Sequence, residues 1–391
     1  MPVINRIADF HDQMRAWRHD LHQHPELALQ ETRTSAKVQE ALRSFGVDEV
    51  HAGIAQTGVV GVIRGSAPGG AIGLRADMDA LPIHEETGKP YASQTPGVMH
   101  ACGHDGHTTM LLGAAKYLAE TRNFSGTVYL IFQPAEENLA GGEIMVREGL
   151  FERFPMDQVY GLHNWPALPE GVFAWRDGPV MAAVANIEII ITGRGSHGAQ
   201  PHLGVDPVVV SAAIVQALQS IVARTVRPTD AGVVTIGSIQ GGHIYNVIPE
   251  TVRMLGTARW FSPAVGDQLE AGVRRLATSI AEGFGATAEV RFDRTYPTTV
   301  NDPEAMALAR RAAATVAGET RVQHMDHPTM GGEDFSFMLN EKQGSYIMLG
   351  ARRSPDDAGV HHPRYDFNDD LLPLGASYWA TLAEQLLPRG G

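Results

Sequence analysis

Along the first 45 residues the apolar positions keep helical spacing. Ile7, Phe10, Met14, Trp17 and Leu21 fall on one face of a helix predicted over residues 6–23, which closes at His24-Pro25 because the residue before a proline is pushed out of the helical region. His19, His22 and His24 read as helix-surface and cap residues, with no acid or cysteine at ligand spacing. A second helix is predicted from Thr34 to Phe45. The period then shortens to that of strands: Val59–Arg64 and Ala71–Leu74 flank a Gly/Pro turn and read as neighbouring strands. Thr108–Ala119 is an apolar helix, Thr127–Phe132 a β-branched and aromatic strand, and Val159–His163 a further strand-like run.

From about Ala182 the pattern becomes strand-helix-strand-strand-helix-strand: Ala185–Ile191, a helix opened by Asp206-Pro207 and running to about Ala223, Gly232–Ser238, Thr251–Trp260, a helix from about Val265 to Phe284, and Thr287–Phe292. That order is the split βαβ arrangement of a small α+β, ferredoxin-like unit. Residues 182–295 therefore read as a domain inserted between two parts of an α/β domain, 1–181 and 296–391. The second part holds a helix over Pro303–Val316 capped by Asn301 or Asp302, a last strand over Tyr346–Leu349, and a final helix over about Asp370–Leu386. Glu333 and Asp334, in a glycine turn at a helix start, suit the macrodipole and need no further role.

At 391 residues two domains are the default. A net charge of −13 argues against a nucleic-acid backbone or an anionic membrane as partner and favours a small-molecule substrate. No apolar run is expected to reach the roughly 18 residues of a membrane span. The single cysteine cannot form an internal disulfide, which points to a reducing cytoplasm.

That cysteine stands in Met99–His107 (MHACGHDGH), two positions before His104, with Gly103 between them to turn the chain. A thiolate and an imidazole together suit zinc and its first-row neighbours better than magnesium or calcium. Later segments supply acids and histidines at strand ends: Asp77 and Asp79 after one strand, Glu136 and Glu137 after the next, His163 after a third, and one of His361 and His362 in a late loop. Adjacent acids after a buried strand are costly unless paired, and a pair of metal ions would pair them. Cys102, His104, Glu137, His163 and one of the two late histidines make five ligands. Glu136, projecting differently from Glu137, is placed as the base that takes a water proton and passes it to a leaving nitrogen.

The motifs LRADMDALPI (74–83), MHACGHDGH, FQPAEE (132–137), GSHGAQPHLGVDP (195–207), NVIPE (246–250), GGEDF (331–335) and His361 onward together resemble the M20 metallopeptidase family. More narrowly, they resemble its M20D branch of aminoacylases, hippurate hydrolases and auxin-conjugate amidohydrolases. The resemblance implies a zinc-peptidase-like catalytic domain with an inserted lid that dimerises. It also implies two divalent ions per subunit (zinc or manganese, with cobalt or nickel as substitutes) and hydrolysis of N-acyl or N-aroyl L-amino acids by a bridging hydroxide. The same fold serves carbamoyl amino acid and dipeptide hydrolases, and a binding protein without turnover is the alternative from another class. By the resemblance His361, two before the proline, is the fifth ligand, Glu136 the general base and Asp79 the acid that orients a ligand. His197 stabilises the oxyanion, Asn246 and Arg259 grip the substrate, and His202 lines the cleft. Asp77 and Cys102 depart from the wider family and belong to this branch.

Overall fold

The computed structural model describes residues 3–389. Two compact units are present: the larger takes the chain up to Val180, Thr299–Pro328 and from Glu333 on, the smaller Met181–Thr298 with Thr329–Gly332.

The larger unit opens with helices Asn5–Ala8, α1 (His11–Gln23) and α2 (Thr32–Ser44). The single helix predicted over 6–23 is thus two, broken at Asp9 and Phe10; Phe10 stays buried at the break. Strands β1 (Glu49–Ile54), β2 (Gly58–Arg64) and β3 (Ala71–Asp77) lead to α3 (His104–Thr121), then β4 (Thr127–Gln133), β5 (Gln158–Pro169) and β6 (Phe173–Trp175). The chain next forms the smaller unit, from β7 (Ala183–Thr192), α4 (Pro207–Arg224), β8 (Gly232–Gln240), β9 (Thr251–Trp260), α5 (Pro263–Gly283) and β10 (Thr287–Tyr296). It returns with α6 (Pro303–Ala317), β11 (Val322–His324), α7 (Phe335–Glu341), β12 (Gln343–Arg352) and α8 (Leu372–Leu386).

The larger unit's strands form one sheet in the order β1-β2-β4-β3-β5-β12-β6-β11. β2 and β3 are not neighbours, contrary to the pattern-based expectation. The β3-α3-β4 crossover lays β4 parallel beside β3, and β2 pairs antiparallel with the far side of β4. The block β4-β3-β5-β12 is parallel throughout, so its carboxyl ends share one edge, where α/β sheets present their chemistry. Helices α3 and α8 pack on each other and are buried along most of their length, which explains their nearly continuous apolar sequence.

In the smaller unit the sheet order is β8-β9-β7-β10 with every adjacent pair antiparallel, the split βαβ topology. Ile187, Ile189 and Ile191 of β7 face Val210, Ile214 and Leu218 of α4 and Leu269 and Val273 of α5 in its core. The Asp206 carboxylate accepts hydrogen bonds from Val208 N and Val209 N, capping α4 as its Asp-Pro start predicts. Glu188, an acid inside an otherwise apolar strand, pairs across the sheet with Arg253 and Arg291. One expectation is corrected here: α4, 18 residues long with mean hydropathy 1.5, is long and apolar enough to cross a membrane. Its inward stripe, Val210, Ile214, Leu218 and Ile221, is core of the smaller unit, while Val208 and Val209 are exposed.

Candidate metal centre

Gly103 caps α3 with φ +101°, and a Cβ there would lie 2.2 Å from Asn164 Oδ1 and 2.7 Å from Tyr365 Oη. Only glycine turns the chain in that space, and the turn puts Cys102 and His104 side by side. His104, the first residue of α3, has Nδ1 2.9 Å from the Asp79 carbonyl oxygen and 3.2 Å from Asp79 Oδ1. Two acceptors hold the proton on Nδ1, so Nε2 keeps its lone pair. His163 repeats the device: Nδ1 donates to the Asn164 carbonyl at 2.6 Å, and Nε2 lies 3.3 Å from Cys102 Sγ.

From the turn after β4, Glu137 places Oε2 3.3 Å from His361 Nε2 and Oε1 3.8 Å from His104 Nε2. Its backbone N–H donates to Asp79 Oδ2 at 3.0 Å, so Asp79 orients two candidate ligands at once. His361 has φ +64° and donates its own N–H to the Ala101 carbonyl, which ties the late loop to the Cys/His loop. His362 instead accepts the Arg364 N–H on its ring.

Ligand atoms lie within 4.8 Å of one another in the groups Cys102-His104-His163, Cys102-Glu137-His361 and His104-Glu136-Glu137. Membership overlaps, with Cys102 in two groups, and such sharing is what two adjacent cations need. The donor set of thiol, imidazoles and carboxylates fits a borderline-soft divalent ion. His104 Nε2 and Glu137 Oε1 are buried with no hydrogen-bond partner among the described residues. An orphaned buried acceptor is costly, and a cation would satisfy both.

Electrostatics agree. Burial disfavours charge on His104, yet Asp77, Asp79 and Glu137 outweigh it and push its pKa up to about 10. Burial raises the Cys102 thiol, with Glu137, Glu136 and Asp77 adding to it, and burial drives His163 down. Glu136 is raised by burial, then by Glu333, Glu137, Asp334 and Asp79. A cluster this rich in acid is incomplete without positive charge, and a divalent ion reverses these preferences.

Arg75 is the residue that reading the sequence missed. Fully buried on β3, it reaches Asp77 at 2.7 Å, Glu333 at 2.9 Å, Asp334 at 3.0 Å and Gln133 Oε1 at 2.8 Å. Glu333 and Asp334 therefore do more than favour a helix start. Removing one member of a buried charged group typically costs about 3–5 kcal/mol, so this hub is a structural necessity beneath Glu136. The one available signal was an arginine inside an apolar strand with an acid two positions on. Asp77 is no free ligand: between Arg75 and His107 (2.6 Å) both its oxygens are engaged. His107 in turn meets Asn164, and Asp105 meets Arg18 and His22, so neither His107 nor Asp105 stands as a free ligand. His22 is not the surface residue expected. It is buried, 2.8 Å from Asp105 and 3.3 Å from Glu85, because α1 turns Arg18 and His22, one helical turn apart, toward the start of α3.

The other predicted residues belong to the smaller unit. His197 and Asn246 are neighbours on an exposed two-stranded ribbon, Ser196–His197 against Val247–Ile248, closed by Gly198 N donating to the Asn246 carbonyl. His202 is exposed on a short turn after it. Arg259, on β9, is half-buried, and its guanidinium bonds Thr257 Oγ1 and the Ala258 carbonyl.

The chain is similar over nearly its whole length to several known hydrolases. A hippurate hydrolase from Campylobacter jejuni is 40% identical over 387 residues, covering 99% of this chain and 100% of that one. An N-acetylcysteine deacetylase from Bacillus subtilis is 37% identical, with 96% and 97% covered. The crystal structure of a dinuclear metal-binding peptidase from Bacillus subtilis superposes with TM-score 0.82 at 34% identity, covering 97% of this chain and 99% of that one. The model of peptidase family M20/M25/M40 matches residues 73–385, most of the chain, and this chain therefore belongs to that family.

Proposed function

We propose that this metal-dependent amidohydrolase cleaves the amide bond of N-acyl or N-aroyl L-amino acids. The observation that carries the reading is the pair of ligand groups sharing Cys102, with the buried carboxylate of Glu136 beside them. Cys102, His104, Glu137, His163 and His361 would hold two divalent cations, zinc or manganese, with cobalt or nickel as substitutes. When bound, such ions polarise a carbonyl and acidify water. Glu136 takes a proton from the attacking water and delivers it to the departing nitrogen, a role suited to a carboxylate whose surroundings raise its proton affinity. Asp79 keeps His104 and Glu137 in register. His197 donates its ring N–H to the developing oxyanion, Arg259 and Asn246 grip the substrate carboxylate, and His202 lines the cleft.

A homodimer formed through the smaller unit belongs to the same reading. Its support is the open edge of β8 together with exposed Ile239, Val208, Val209, Ile244 and Tyr245 on that unit. Residues 182–295 then act as lid and dimerisation domain. A cytoplasmic setting suits a metal-binding thiol that must stay reduced. Mixing a Glu136→Gln chain with a His197→Ala chain, each inactive alone, is expected to restore activity if the two residues serve one site from different subunits. No recovery after proven subunit exchange would remove the shared site.

The deciding experiment removes metal with a chelator, restores single metals, and follows hydrolysis of hippurate, N-acetyl amino acids, carbamoyl amino acids and dipeptides. Turnover of the first two, abolished by chelation and restored by zinc or manganese, is expected. Preference for carbamoyl substrates or dipeptides would move the enzyme to that class, and silence across the panel would make it a binding protein.

A further inference from the structure

Ala135 and Leu29 are both left-handed although neither is glycine, with φ +57° and +60°. L-residues rarely hold that conformation unless their surroundings impose it. Both backbone N–H groups donate to one oxygen, Glu31 Oε1, at 2.9 Å from Ala135 and 3.0 Å from Leu29. The other oxygen, Oε2, accepts the Thr57 hydroxyl at 2.6 Å. Glu31 stands at the N-cap of α2 yet makes no side-chain cap bond, because its carboxylate is turned away toward these three donors. It is completely buried, and burial pushes its pKa up to about 7. A carboxylate held inside the fold at that cost, with these three donors and, among the described residues, no cation paired to it, is doing something an apolar side chain of the same size would not.

Ala135 is the residue before Glu136 and Glu137. Three grips fix this turn: Glu31 on the Ala135 N–H, the Gly141 N–H on the Ala135 carbonyl at 3.0 Å, and Asp79 on the Glu137 N–H. The second leaves no slack, since a Cβ on Gly141 would lie 1.8 Å from the Pro134 carbonyl oxygen. Of the two side chains among these grips, Asp79 also contacts His104 and Glu137, whereas Glu31 acts on the turn through the Ala135 backbone.

We infer that Glu31 is a positioning residue: its carboxylate oxygen holds Ala135 in the left-handed conformation, and thereby aims the side chains of Glu136 and Glu137 from the end of β4. The inference rests on the proposed roles of those two residues. It concerns the acceptor oxygen and its reach. Glu31→Gln keeps an oxygen at the same distance, and Glu31→Asp keeps the charge but draws the oxygen back by one methylene.

The test compares these two variants for kcat and KM on the best substrate of the panel and, with metal-free protein, for cobalt(II) affinity by absorption titration. Glu31→Asp is expected to lose at least about tenfold in kcat with KM little changed, since sub-ångström misplacement of a reacting group is enough for that. Its affinity for the weaker-bound cobalt ion should fall by about tenfold or more, the usual effect of disturbing a group that orients a ligand. Glu31→Gln should stay within about threefold of the unmodified protein in both, because a neutral acceptor keeps most of a hydrogen bond. Any other pattern overturns the inference, including an active Asp variant, a Gln variant as impaired as Asp, or equal loss in both. Glu136→Gln measured alongside separates the two claims. If it turns over normally while the cobalt affinities follow the stated order, the base assignment falls and the positioning of Glu137 stands.

Discussion

Glu136→Gln should lower kcat by at least about a hundredfold while the protein keeps its fold and both metal ions. The amide matches the carboxylate in shape but cannot accept and return a proton. Two effects compete in this substitution. Loss of the base slows the reaction, while loss of one negative charge from an acid-rich pocket weakens its hold on cations. The second effect is the smaller, because all five proposed ligands remain and Glu333, Asp334 and Asp77 still face Arg75 beneath them. Metal content by mass spectrometry and KM for the preferred substrate should therefore stay near their original values while kcat collapses. Near-normal turnover would exclude Glu136 as base. Loss of metal together with turnover would instead make it a ligand, which its place in the group with His104 and Glu137 would then explain.

What the sequence made legible was chemistry written locally. Cys102, Gly103 and His104 are contiguous, Glu136 and Glu137 follow a recognisable strand, and Asp206-Pro207 announces a helix start that the structure keeps. The hidden part was chemistry assembled over distance. Arg75 and Glu333 meet across 258 positions and Glu31 and Ala135 across 104, and no periodicity records which buried acid answers which buried donor. His22 was misread for the same reason: its partner Asp105 lies 83 residues away, so a helix pattern with a polar residue at that position looked like surface. Strand adjacency failed likewise. A Gly/Pro turn between β2 and β3 says that the chain reverses, but not that β4 will come between them.

Cys102→Ala should abolish metal-dependent turnover, with a loss exceeding the hundredfold or so that disturbing even an outer partner of a ligand can bring. The reason is membership: Cys102 belongs to two of the three ligand groups, the ones with His104 and His163 and with Glu137 and His361, so its removal reduces each of those to two donors. Had the site used separate ligands for each cation, one ion and some activity would survive. Chemical modification tests the same point without mutation, because the chain has one cysteine and a thiol reagent therefore has one target thiol. Burial and the neighbouring Glu137, Glu136 and Asp77 raise the thiol's pKa, so metal-free protein should react slowly with iodoacetamide at neutral pH and faster as pH rises and thiolate forms. Metal-loaded protein should be protected, since a coordinated sulfur is not free to attack. One label per chain, blocked by prior metal and followed by failure of added metal to restore turnover, is the expected result. A Cys102→Ala protein that still binds two ions and turns over normally would show that the loop from Met99 to His107 does not carry the shared ligand, and the two groups would have to be rebuilt around His104 and Glu137 alone.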